Sequence, residues 1–332
     1  TSCNAIGASM IKVRRPYLLC IAILSLFFCG TAYCKDRVHF LIPGGAGGGW
    51  DMTARAVGES LSRSGIIETA SYENLSGGGG SRAIAHLIET APRQTNTLMV
   101  NSSSFLLRSL LNKFPHSYRD LTPIASVIAD YGAFVVRIDS PYVVWQDVID
   151  DYRKDYRRVN IAGGSSRGST DHVVAALAFS KSKLDISRLK YIPYNAGGQA
   201  MVGLLSGECQ LLSTGLSEAV ALAKQGEVRI LAITAPKRLP LFPNVPTLKE
   251  QNVDAVFANW RGFFAPPGIS QQNVGDYGQL IQELLDLESW QQLRADRGWS
   301  HLYFSGTNFE DFLSNQEVEL SMLLDELGLL NK

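Results

Sequence analysis

Residues 38–51, Val38-His39-Phe40-Leu41-Ile42-Pro43-Gly44-Gly45-Ala46-Gly47-Gly48-Gly49-Trp50-Asp51, run from an apolar segment into five glycines within six positions, then into a helical pattern. Met52, Ala56, Val57 and Leu61 carry that pattern at three- and four-residue spacing. The stretch is a strand, a glycine loop and a helix from about Asp51. The same order recurs at Val159–Ala162, then Gly163-Gly164-Ser165-Ser166-Arg167-Gly168, then a helix from about Ser169. Each loop delivers free backbone N–H groups at a helix N-terminus, where unsatisfied donors and the positive end of the dipole favour an anion. Glycine lets the backbone come close to that anion. Two such loops suggest a ligand with carboxylates at both ends. Tight βα turns are the plainer alternative, but a turn needs far fewer glycines than the first loop has.

Outward from these units, strand-like runs alternate with helical ones, which predicts an α/β architecture with largely parallel sheets. Strands are expected at Val38–Ile42, Thr97–Val100, Ala133–Val136, Val159–Ala162, Leu189–Ile192, Cys209–Leu212, Val228–Thr234 and Gly262–Ala265. Helices are expected around Ile84, Leu87 and Ile88, and around Val173, Val174, Leu177 and Ala178. A last helix is expected to start in a capping box of Thr307 and Glu310. Its buried stripe would be Phe309, Phe312, Leu313, Leu320, Leu323, Leu324 and Leu327.

Met10 is the first plausible start, and residues 1–9 are left out of the fold. Lys12, Arg14 and Arg15 precede an apolar run from Tyr17 to Phe28, and Ala32-Tyr33-Cys34 offers a small-residue cleavage site. That pattern predicts a signal peptide over 10–34, because the run is shorter than the ~20 residues a spanning helix needs. Bulky Phe28 and Tyr33 argue against lipid on Cys29 or Cys34. The chain has 31 basic and 31 acidic residues, and residues 1–34 hold three of the basic ones. From Lys35 onward the formal charge is therefore 28 minus 31, or −3. No nucleic acid or anionic membrane surface is expected as partner, and a bound anion must be held locally. Four of five cysteines lie before Lys35, so Cys209 has no partner for an intrachain disulfide and is expected to be a buried, inert thiol.

Enzyme motifs fit poorly. No Gly-Lys-Ser/Thr follows the first loop, and a dinucleotide fingerprint read from Gly45 would put Trp50 where a third glycine belongs. Gly164-Ser165-Ser166-Arg167-Gly168 is a literal G-x-S-x-G between strand and helix, so a serine hydrolase using Ser166 is an alternative. Its histidine would be His172 or His301. His172 stands too near the helix start for that role, and nothing around His301 marks a catalytic loop. The five histidines lack metal-ligand spacing.

Phe40 to Arg55 resembles the opening of the tripartite tricarboxylate transporter receptors, the Bug-type periplasmic binding proteins. Asn74 with Gly77–Gly80 is similar to their second strand and glycine stretch. Gly168-Ser169-Thr170-Asp171-His172, Tyr191-Ile192-Pro193-Tyr194 with Gly197-Gly198, and Ser217-Glu218 continue the likeness. Arg238-Leu239-Pro240, Pro246-Thr247-Leu248-Lys249-Glu250, Asn259-Trp260-Arg261-Gly262 and Ala265-Pro266-Pro267-Gly268 complete it in the same order.

The resemblance implies an α/β type II periplasmic binding protein: two lobes, each a mostly parallel sheet flanked by helices, with the ligand cleft between them. Lobe 1 would be 35–136 plus 256–332 and lobe 2 would be 137–255. It implies a monomer without cofactor or metal that is no enzyme. In the periplasm it would capture a small organic carboxylate, a di- or tricarboxylate such as citrate, and deliver it to membrane permease subunits. A ligand-sensing protein for a signalling partner would share the clamp. Carried onto this chain, the ligand-binding residues are Gly45, Ala46, Gly47, Gly48 and Trp50 from the first loop, and Ser165, Ser166, Gly168 and Ser169 from the second. Asn101, Ser102, Ser217 and Glu218 would form walls. Arg167, the cation of these loops, is a candidate partner for an extra carboxylate or a solvated side chain, and Asp51 reads as a helix cap.

Overall fold

The computed structural model describes Ser2 and residues 35–330; the expected signal peptide, 10–34, lies outside the described residues. The chain enters along β1 (Lys35–Ile42), with Val38, Phe40, Leu41 and Ile42 all buried. A strand apolar on both faces must be covered on both, which is the demand of a parallel strand in an α/β layer. It pairs in parallel with β2 (Ile67–Asn74) and β3 (Thr97–Ser102), Phe40 standing opposite Tyr72 on one side and Leu98 on the other. Helices α1 (Gly49–Arg63), α2 (Ser81–Glu89) and α3 (Ser103–Leu110) follow these three strands.

β4 (Thr122–Arg137) joins the two halves. Its first part pairs antiparallel with β9 (Ala258–Ala265) and β10 (Ser300–His301). Its second part pairs antiparallel with β7 (Leu211–Gly215) and β8 (Val228–Ile233). The second sheet is completed by β5 (Asn160–Gly163) and β6 (Lys190–Pro193), parallel to each other, with β5 also parallel to β7. The continuous order is β2-β1-β3-β9-β4-β7-β5-β6, with β8 and β10 each paired to β4 off this path. Both sheets are mixed, not mostly parallel: the βα units are parallel, while β4 and β9, which carry the chain between lobes, run against their neighbours. Helices α4 (Trp145–Lys154), α5 (Thr170–Lys181), α6 (Gly197–Leu205) and α7 (Leu216–Lys224) flank the second sheet. Helices α8 (Gln271–Asp286), α9 (Glu288–Asp296) and α10 (Gly306–Glu326) return to the first.

Pairing of β4 with β9 ends at Tyr131 opposite Ala258, and pairing with β7 begins at Gly132 opposite Gly215. The change of partner thus lies inside β4, at Tyr131–Gly132, and the chain re-enters the first sheet at Ala258. Buried Thr234 ties the two together: Gly132 N–H donates to its hydroxyl at 2.8 Å, and that hydroxyl donates to the Phe257 carbonyl at 2.6 Å.

The stripe of α10 packs as expected, but the capping box does not form. The helix starts at Gly306 with Ser305 as N-cap and no side-chain cap. Ser305 is extended and bridges to Ala125, which puts the helix start two residues before the Thr307–Glu310 box.

Candidate functional site

Four helix starts converge where the two lobes face each other, at the carboxyl ends of parallel strands, the usual place for a ligand in such sheets. Gly48, Gly49 and Trp50 open α1; Ser102 and Ser104 open α3; Ser169 and Thr170 open α5; Ala196 and Gly197 open α6. All line one cavity of about 230 Å³. Neither α1 nor α6 has a side-chain cap, so their first N–H groups are not spent on one. The starts of α3 and α5 bond each other across the cleft, Ser104 and Thr170 hydroxyls lying 2.6 Å apart.

The first loop is shaped by Asp51. One carboxylate oxygen accepts from Gly47 N–H at 2.9 Å; the other accepts from Arg55 Nε at 2.8 Å and Asn74 Nδ2 at 3.0 Å. Asn74 also donates to the Gly44 carbonyl. Asp51 is thus occupied in holding the loop. In the second loop, Gly168 N–H donates to His172 Nδ1, Asp171 N–H to Ser165 Oγ, and the Tyr191 hydroxyl to the Ser165 carbonyl. Burial and the charge of Arg167 lower the His172 imidazole to about 4, so it stays neutral at physiological pH.

Of the residues expected at the site, Gly45, Gly48, Trp50, Ser102, Ser165, Ser166, Ser169 and Glu218 line the cavity. Trp50 Nε1 donates to Ser102 Oγ at 3.0 Å, fixing the indole as a wall. The others stand outside the lining. Ala46 and Gly47 are exposed at the outer bend of the loop. Asn101 is buried behind Ser102 and accepts its N–H. Gly168 is buried against Leu111. Ser217 turns away to donate its hydroxyl to Asp130 at 2.6 Å. Arg167 is exposed and donates to the Tyr191 carbonyl. For hydrolysis through Ser166, neither His172 nor exposed His301 lines the cavity.

The charged lining comes from elsewhere. Arg261 on β9 is fully buried and pairs with Asp130 at 2.9 Å while donating to Thr53. Asp171 and Glu218 share that corner. Burial lifts Asp171 to about 6; burial and the Asp171 charge lift Glu218 to about 8. A Cβ on Gly197 would fall on Glu218 Oε2, so only glycine lets this carboxyl sit over the start of α6. Away from that corner, Arg108 on α3 also lines the cavity, beside Gly78, Gly79 and Ser166. Asn195, Ala196 and Gly197, Gly77–Gly80, Arg108, Asp171, Asn259 and Arg261 are cavity residues that sequence reasoning did not assign to the site. A usable signal existed for Arg108, a lone charge in the apolar run Phe105-Leu106-Leu107-Arg108-Ser109-Leu110-Leu111. Asn195-Ala196-Gly197-Gly198 ahead of a helix was another.

The family model described as "Tripartite tricarboxylate transporter family receptor" matches residues 53–329. A UPF0065 protein of Cupriavidus necator is 23% identical over 285 residues, 86% of this chain and 85% of its own. Protein BugT of Bordetella pertussis is 23% identical over 301 residues, 89% of this chain and 90% of its own. Among solved structures, the periplasmic binding protein BugD is similar at TM-score 0.81 and 22% identity, over 90% of this chain and 99% of that one. MatC from Rhodopseudomonas palustris, solved with malate, gives 0.77 at 20%, over 87% and 99%. An R. palustris protein solved with adipate, Rpa4515, gives 0.80 at 22%, over 89% and 98%.

Proposed function

Because the chain belongs to the tripartite tricarboxylate transporter receptor family, a family of periplasmic solute-binding receptors, we propose that it captures a small organic carboxylate in its interlobe cavity and delivers it to the permease subunits of such a transporter. The observation that carries this is the convergence of the starts of α1 and α6, both without side-chain caps, on a cavity walled by serines. A carboxylate there would accept backbone N–H groups of both lobes, and contacts made to both lobes only in the shut form favour closure. Neutral donors from Ser102, Ser165, Ser166 and Ser169 add to the hold without a global positive field. In this scheme the chain acts as a monomer, is exported by a signal peptide over 10–34 and performs no chemistry on its ligand. Malate and adipate, found with two proteins of similar fold, are the first acids to test, with citrate beside them.

The test is thermal unfolding of the purified protein against malate, adipate, citrate and their neutral esters. A ligand at 100-fold its dissociation constant adds about 2.7 kcal/mol to stability. A clear rise with one acid and none with its ester is the expected result. A flat panel, repeated after refolding to remove any carried-over ligand, would refute carboxylate capture.

A further inference from the structure

We propose that Arg108 is the specificity-determining cation of the cleft, its guanidinium receiving a second carboxylate of the ligand so that diacids are selected over monoacids of equal length. The inference rests on carboxylate capture as proposed above and names the residue that reads the far end of the ligand.

Two arginines of the cavity wall are buried, Arg261 at 2% exposure and Arg108 at 7%. Arg261 has a counter-ion, Asp130, at 2.9 Å. Arg108 has none among the described residues: its Nη2 donates to the Gly78 carbonyl at 3.0 Å, its Nη1 to the Arg167 carbonyl at 3.2 Å, and its Nε has no partner. A guanidinium has five N–H donors and stays charged in a protein. Two neutral carbonyls and the Phe114 ring, whose centroid lies 5.7 Å from the guanidinium carbon, leave three donors unanswered and no anion beside the charge, in a place where an uncompensated charge is costly. Burial accordingly lowers its pKa from the usual arginine value.

The surroundings are cut to admit this side chain. Gly79 has φ +65°, and a Cβ there would lie 2.5 Å from Arg108 Nε and 2.9 Å from Ser166 Oγ. Guanidinium and serine hydroxyl therefore meet at one spot on the wall, a charged donor beside a neutral one. The corner of Glu218 and Asp171 lies at the other end, over Gly197 at the start of α6. There the Glu218 carboxyl, protonated up to about pH 8, is a donor to a carboxylate and not a rival anion; Gly197 in turn touches Gly164. The segment Gly164–Ser166 thus runs from the starts of α1 and α6 toward Arg108. A ligand lying along it, with one carboxylate on those helix starts, presents its other end to the guanidinium, which can grip a carboxylate in bidentate fashion. The carbonyls that hold Arg108 belong to opposite lobes, Gly78 to the first and Arg167 to the second, so the second carboxylate is read as the cleft shuts.

The experiment is calorimetric titration of succinate, glutarate and adipate, each against its monomethyl ester, into wild type, Arg108→Gln and Arg108→Lys. Circular dichroism and a melting curve check that each variant is folded. In wild type the best diacid is expected to bind at least tenfold tighter than its ester. Arg108→Gln should weaken that diacid roughly 10- to 100-fold, the worth of hydrogen bonds to a charged group, and leave the ester within about twofold, with Arg108→Lys between. Equal weakening of diacid and ester, or no weakening of either, overturns the inference and makes Arg108 a brace between lobes. Binding of no diacid by wild type, with malate and citrate also silent, overturns carboxylate capture itself.

Discussion

Glu218 is a carboxyl group set among carboxylates, with Asp171 and Asp130 around the Arg261 guanidinium in the same corner. Its proton is retained to about pH 8 in the folded chain, against an ordinary 4.5 when unfolded. The folded state therefore binds more protons than the unfolded state across that window, and the stability this gives is lost as pH rises through 8. His172 acts in the opposite sense. Lowered to about 4 from 6.5, its contribution is present above 6.5 and lost as pH falls toward 4. Asp171, lifted to about 6, has largely ionised above that pH. Between pH 6.5 and 8 the Glu218 slope is thus the one that remains from this group. Urea unfolding should give a free energy that declines over this interval in wild type and holds level in Glu218→Gln. A level wild-type profile there would refute the protonated carboxyl.

At the scale of elements, β2 and β4 were harder to read than β1 for definite reasons. β2 (Ile-Glu-Thr-Ala-Ser-Tyr-Glu-Asn) is an edge strand with Ile67 as its one buried residue, so it presents no apolar run. β4 is interrupted by Pro123, Ser126, Asp130 and Gly132 and bulged in three places, so its second half alone has the density of a strand. Helix α10 was legible in its stripe and misread in its cap, since the bridge from Ser305 to Ala125 is a tertiary contact. The stripe centres on Phe309, fully buried with its ring 5.9 Å from Trp260 and 5.7 Å from Phe264. Phe309→Ala should cost about 3–5 kcal/mol, as large-to-small changes in a packed core do. The denaturant midpoint reads it, and a loss below about 1 kcal/mol would mean that α10 is not anchored there.

For the molecule as a whole, the state of the cleft depends on contacts between lobes. Ser104 of α3 and Thr170 of α5 meet at 2.6 Å, and Ser104 Oγ also accepts Thr170 N–H at 3.2 Å. Both residues are buried, so Ser104→Ala leaves Thr170 with polar groups shut away from water, at a cost of about 1–3 kcal/mol. An open form would expose the same groups to water and would not bear that cost. The substitution should therefore favour opening and weaken carboxylate binding by roughly 5- to 100-fold, since each 1.4 kcal/mol is a factor of ten. Calorimetry gives the affinity and small-angle scattering the lobe separation. Unchanged values in both would place the closing energy elsewhere.

The sequence by itself determined the alternation of strands and helices, the two glycine loops at helix starts and the family to which their order belongs. These are properties of neighbouring residues, where apolar period and glycine density act directly on the backbone. Much of the serine and glycine lining of the cavity was legible for the same reason. Tertiary structure alone decided which charges line the cavity. Arg261 meets Asp130 across 131 positions, and Arg108 meets Arg167 across 59. Whether a buried charge is answered or left free depends on what lies within a few ångströms of it, and that distance is set by the packing of one lobe against the other.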